Sequence, residues 1–157
     1  MRISALLLIT LLSINSSHAF EVSEDFWENG QAVFHVGISG SSPTGGTWND
    51  AFKRSMSAWS DVSSFDFVAV DNYLDPCIDR EEGQFSEGST SVDFSEFVCD
   101  SEFGENILAV TLIAGTRQNP QCTGRVLITD ADIVFNSAEA WDVYNGPLRR
   151  VDHIEHE

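Results

Sequence analysis

The chain closes on His153-Ile154-Glu155-His156-Glu157. His153 and His156 are i, i+3, and His153 and Glu157 are i, i+4, so a helix would put all three on one face. Imidazole and carboxylate on a shared face are ordinary zinc ligands. The alternative is a solvated, charged helix end, since a fraying terminus holds ligands loosely. A sharper expectation takes His156-Glu157 as the opening of H-E-x-x-H. There, two His one turn apart hold zinc, and the Glu takes a proton from the zinc-bound water that attacks a carbonyl. On that expectation His156 is a metal ligand and Glu157 the catalytic base. One imidazole and one carboxylate fall short of the three protein ligands that a catalytic zinc requires.

A second set of ligand-type side chains is hard rather than soft. Asp71, Asp75, Asp79, Glu81, Glu82, Asp93, Glu96 and Asp100 crowd an acidic, turn-rich stretch. Their oxygens suit calcium, although no EF-hand spacing occurs. The alternative is a solvated loop that keeps the protein soluble. His35 has no second ligand nearby and reads as a strand-surface histidine. Three cysteines, Cys77, Cys99 and Cys122, contain no Cys-x-x-Cys. In an oxidising compartment two of them pair and one is left over. A Cys77–Cys99 bridge would close a loop of about 20 residues, worth roughly 3 kcal/mol in the chain-entropy picture.

These groups need a scaffold, and 157 residues allow one domain. Hydrophobic residues at 42% and charged residues at 21% make it globular. Eight Lys+Arg against 25 Asp+Glu give a net charge of −17, which argues against nucleic acid or an anionic membrane as partner. Met1-Arg2, the apolar run Ile3–Leu12 and the Ser17-His18-Ala19 ending predict a secretory signal peptide over 1–19. The mature domain is then 20–157, secreted or periplasmic.

Alternation over Ala32–Ile38 predicts a strand, with Ala32, Phe34, Val36 and Ile38 on one face. Thr47 and Asp50 approximate a capping box. Trp48, Ala51, Phe52, Met56, Trp59 and Val62 then form the buried stripe of an amphipathic helix. Phe65–Val70 is a second strand, parallel to the first across the helix. A short strand is expected near Ser91–Phe94. The apolar run Ile107–Ala114 is a strand either buried on both faces or packed at an edge. Gly115–Gly124 reads as a loop, Val126–Asn136 as another strand. Pro147 suits the first turn of a helix over Leu148–Glu157.

Three stretches together resemble the matrixin branch of the metzincin zinc metallopeptidases, of the secreted bacterial type. Phe103-Gly104-Glu105-Asn106-Ile107-Leu108-Ala109-Val110-Thr111 is similar to the approach to that family's edge strand, with Cys99 just upstream. Ala131-Asp132-Ile133-Val134-Phe135-Asn136, followed by Trp141, resembles its last sheet strand and the Trp before its zinc helix. Trp141-Asp142-Val143-Tyr144-Asn145-Gly146-Pro147-Leu148-Arg149-Arg150 is similar to the linker into that helix.

The resemblance implies an α+β, zincin-like N-terminal subdomain. Its sheet is twisted and mostly parallel, with an antiparallel edge strand and backing helices. It implies that Leu108, Ala109, Val110, Thr111 and Leu112 pair with an extended peptide or protein substrate. His156 matches the first zinc ligand and Glu157 the general base, with structural calcium a further expectation. The family's zinc pattern continues beyond its first two residues, so the expected object is a domain truncated at the start of the zinc helix, inactive as written and monomeric when complete. A rival from another class is a non-catalytic secreted module that binds peptides or proteins at an open sheet edge. A third is an acidic calcium-binding surface protein.

Overall fold

The computed structural model describes residues 25–78, 89–117 and 125–143. The expected signal peptide, Asp79, Glu81, Glu82, Cys122, His153, His156 and Glu157 lie outside these residues. In chain order the elements are β1 (Phe26–Trp27), a 3₁₀ turn (Glu28–Gly30), β2 (Gln31–Val36), α1 (Trp48–Val62), β3 (Asp66–Val70) and β4 (Thr90–Ser95). The short hairpin β5 (Phe97–Val98) and β6 (Ser101–Glu102) follows, then β7 (Ala109–Arg117) and β8 (Val126–Asn136).

The strand expected over Ala32–Ile38 forms as β2 but ends at Val36, and its apolar members, with Ile38 just beyond it, are core: Ala32, Phe34, Val36 and Ile38 are all buried. β2 pairs in parallel with β3 on one side and β4 on the other. β4 pairs in parallel with β8 from Val92↔Ile133 to Ser95↔Asn136. β1 joins the same edge of β8 lower down, at Leu127 and Ile128. β7 runs antiparallel to β8 along its other edge. The sheet therefore reads β3-β2-β4-β8-β7, mostly parallel with one antiparallel strand at its margin. This agrees with the α+β, mostly parallel expectation. One helix, rather than several, backs the sheet among the described residues.

Thr47 caps α1 as the sequence predicts, its hydroxyl accepting from Asp50 N at 3.1 Å. The α1 stripe is core only in part. Phe52 stacks on Phe34 with centroids 5.5 Å apart, and Met56 is buried. Trp59 and Val62 are 65% and 78% exposed, against expectation. Helical periodicity marks a face but does not supply the strand that covers it, and β3 is the last strand on this side. Farther along the sheet, aromatic rings continue the core: Trp48–Phe94 at 5.1 Å, Phe94–Phe135 at 5.2 Å and Phe135–Trp141 at 5.0 Å. Such tilted and edge-to-face pairs add to their burial about 0.5–1.5 kcal/mol each.

Two glycines are set by close approach. A Cβ on Gly37 would lie 2.3 Å from Tyr73 Cα, so the chain after β3 crosses tightly over the end of β2. A Cβ on Gly115 would lie 2.4 Å from Leu127 O, at the bulge where β7 shifts register against β8. That bulge is why β7 runs on through Arg117, although Gly115 reads as the start of a loop. At its other end β7 starts at Ala109, two residues later than the apolar run suggests.

Candidate functional site

β7 hydrogen-bonds to β8 and to no other strand among the described residues. Among the described residues the strand is thus at an edge rather than buried between neighbours. Asn136 fixes its entry: the Asn136 backbone N–H donates to Leu108 O at 2.8 Å, and Asn136 Nδ2 donates to Ile107 O at 3.0 Å. The bond to Leu108 also sets the phase of the ladder. Leu108 lies opposite Asn136 by continuation of the Ala109↔Phe135 register. In an antiparallel pair, bonded and non-bonded residues alternate. Val110 and Leu112 therefore turn their N–H and C=O inward to β8. Ala109, Thr111 and Ile113 turn theirs outward.

Of the five residues expected to hold a peptide, Ala109 and Thr111 have outward backbone groups with no partner among the described residues. Leu108, before the strand, and Val110 and Leu112 within it spend theirs on β8. Ile113 is the member that sequence reasoning missed. In this near-continuous apolar run the polar Thr111 is the one residue that marks the odd positions, too little to fix a phase. Exposure follows the same alternation: Ala109, Thr111 and Ile113 are exposed, Val110 and Leu112 half-buried, Ala114 buried. Ile113 is 56% exposed, high for an isoleucine. Its side chain shares the helix-side face of the sheet with Ala131, its partner on β8, and with Ile133 and Phe135, yet α1 packs mainly over β2 and β3.

Between α1 and that uncovered face lies an apolar cleft of about 110 Å³, lined by Trp48, Phe52, Phe94, Phe135, Trp141 and Val143 among others. Its mouth is tied down by Asp142. The Thr44 hydroxyl donates to Asp142 Oδ1 at 2.8 Å, Thr44 N–H to the same oxygen at 3.3 Å, and Val143 N–H at 2.8 Å. The Thr44 hydroxyl also lies against Val143 O. Burial by itself raises the Asp142 pKa. The hydrogen bonds from Thr44, Ser42 and Val143 outweigh it and hold the carboxyl below its ordinary value.

Two buried carboxylates on β8, Asp130 and Asp132, were not anticipated. They fill the gap where β1 has left the edge of β8 and β4 has not yet fully joined it. Asp132 Oδ1 accepts from Ser91 N–H at 2.9 Å and from the Ser91 hydroxyl at 2.8 Å. The Thr90 hydroxyl donates to Asp130 Oδ1 at 3.2 Å and accepts from Ala131 N–H at 3.2 Å. These side chains complete the ladder that the backbone leaves open. The alternation Asp130-Ala131-Asp132-Ile133 was the available signal: acids on one face of a central strand need partners.

The acidic stretch is divided among separate tasks. Asp71 pairs with Lys53, and Asp75 Oδ1 accepts from Cys77 N–H at 2.9 Å. Asp93 takes a hydrogen bond from Tyr73. Burial raises both Asp93 and Tyr73 above their ordinary pKa values, helped by the charge of Asp75. His35 Nδ1 donates to Asn72 Oδ1 at 2.6 Å, a surface role as expected. Cys77 and Cys99 form a disulfide, with Cα atoms 5.2 Å apart, which anchors the β3–β4 connection to the β5–β6 hairpin. Among the described residues no three His, Cys, Asp or Glu side chains converge as a metal cage would require. No helix among them is long and apolar enough to cross a membrane. Comparison with known protein families, with curated proteins and with solved structures gives no match for this chain.

Proposed function

We propose that this chain receives an extended peptide along the free edge of β7, as the peptide-presenting sheet of a secreted, matrixin-like zinc endopeptidase. The observation that carries the reading is the phase of β7: three successive outward-facing backbone sets, at Ala109, Thr111 and Ile113, on an edge strand whose helix-side face is uncovered. Main-chain bonds to such an edge give affinity, and flanking pockets give selectivity. The antiparallel placement of β7 beside β8 supports the resemblance drawn from residues 103–111 and 131–150. By that resemblance His156 and Glu157 would supply a zinc ligand and the general base, and bound zinc would supply the activated water for peptide hydrolysis.

Mass spectrometry and fluorescence anisotropy on the full chain with unstructured peptides, with and without added zinc, test this. Binding is expected, and Thr111→Pro should abolish it. Proline at 111 deletes an outward N–H but no bond to β8, and edge strands tolerate it there. Should Thr111→Pro melt with the wild type and still bind peptide equally well, β7 is not the site. Tight zinc binding with cleavage of the peptide excludes a non-catalytic peptide-binding module; binding alone is what either reading expects of this chain as written.

A further inference from the structure

We infer that the peptide accepted by β7 is cationic, with Lys or Arg at the end that lies beside Ala109. This rests on the strand-addition reading above and specifies its ligand. The edge is electrostatically lopsided. Residues 81–116 contain eight Asp or Glu and no Lys or Arg. Three of these acids, together with Glu139, lie in the turns and strand ends next to the start of β7. Glu102 ends β6, and Glu105 sits in the turn closed by Ile107 N–H on Gly104 O. Glu96 follows the last residue of β4, whose carbonyl accepts from Ser137 N–H, and Glu139 lies in the turn closed on Asn136 O. Glu96, Glu102 and Glu105 are exposed and Glu139 half-buried. None of the four makes an ion pair among the described residues.

The basic residues of this β-hairpin lie at the opposite end. Arg117 is the last residue of β7, opposite Val126, and Arg125 stacks over the Phe26 ring at 4.7 Å. From Ala109 to Arg117 the strand extends roughly 27 Å at about 3.4 Å per residue. That is several times the screening distance of about 8 Å at physiological salt, so the two ends act independently. A net charge of −17 draws cations to the whole molecule. The rim at residues 96–105 and 139 decides where on the edge they settle.

The test uses the full chain and a ten-residue peptide with alternating apolar residues. It is made with two Lys at its N-terminus, two Lys at its C-terminus, two Glu at either end, or no charge. One of the two Lys peptides, whichever orientation places Lys beside the rim, should bind about tenfold tighter than the uncharged one at low salt, and the Glu peptides more weakly. The advantage should shrink as sodium chloride is raised. The combined variant Glu102→Gln, Glu105→Gln, Glu139→Gln should erase the preference. A control with equal charge removed elsewhere (Glu28→Gln, Asp50→Asn, Asp61→Asn) should retain it. Equal affinity for all peptides, or equal loss in both variants, overturns the cationic inference and leaves edge binding standing. No binding by any peptide overturns both.

Discussion

The two halves of the sheet are finished differently. At β2 and β3, α1 covers the strands and Phe34, packed against Phe52 and Phe67, is 5% exposed. At β7 the same face carries no helix among the described residues, and Ile113, a residue of similar hydrophobicity, is 56% exposed. Both halves use the same strand chemistry. What differs is whether a helix lies over them; the outer strands β3 and β7 each pair on one side only among the described residues. Edge strands normally blunt their free N–H and C=O groups with charge, proline or a bulge. β7 has a bulge only near its far end, at Gly115, and Ala109–Ile113 contains no charge, proline or bulge. One half holds the fold together; on the proposed reading the other is met by another chain.

The widest gap between the halves should appear on truncation. Phe34→Ala should cost about 3–5 kcal/mol, through lost burial and a cavity, in urea denaturation. Ile113→Ala should stay within about 0.5 kcal/mol. A loss at Ile113 as large as that at Phe34 would show that the bare face is covered in solution. Next, Cys99→Ser should lower stability by roughly 3 kcal/mol, from a bridge spanning a sequence separation of 22. It should leave peptide binding at β7 intact, because the bridge ties the β3–β4 connection and not the edge.

Asp142→Ala should lower the melting temperature at neutral pH by freeing Thr44. The folded pKa of Asp142 is depressed, so its contribution is present above the unfolded value of about 3.9 and is lost as pH falls through the folded value. The melting temperatures of wild type and variant should therefore converge in acid. Asp93 has the opposite sign. Its folded pKa is raised, chiefly by burial, so ionisation opposes folding once pH exceeds the folded value. Asp93→Asn should give a small gain in melting temperature at neutral pH that disappears as pH falls below about 3.9. A constant difference at all pH values would mean that packing, not charge, separates the two proteins.

Much of this fold is legible in the sequence because its elements are strongly patterned. The Ala32–Val36 alternation, the Thr47 cap and the Val126–Asn136 strand all stand where local rules place them. β1 is only Phe26–Trp27, too short to show a period, and the β5–β6 hairpin turns through Cys99 and Asp100 at positive φ without a glycine to announce it. Cys77 and Cys99 do pair. The exposure of Trp59 and Val62 depends on which strand lies beneath them, which no helical wheel contains. The candidate site is half-legible for the same kind of reason. The run Ile107–Ala114 shows that a strand exists, while its edge position and its phase come from Asn136, 28 residues after Leu108 in the chain.

Backbone hydrogen exchange on the full chain, free and with saturating extended peptide, tests the central claim most directly. In the free protein the amides of Val110 and Leu112 should exchange slowly, and those of Ala109, Thr111 and Ile113 fast. Peptide should slow the second set at least tenfold, in alternation, with no comparable change along β3. Uniform protection of all five amides without peptide, or new protection confined to β3, would contradict an edge kept open to receive a strand.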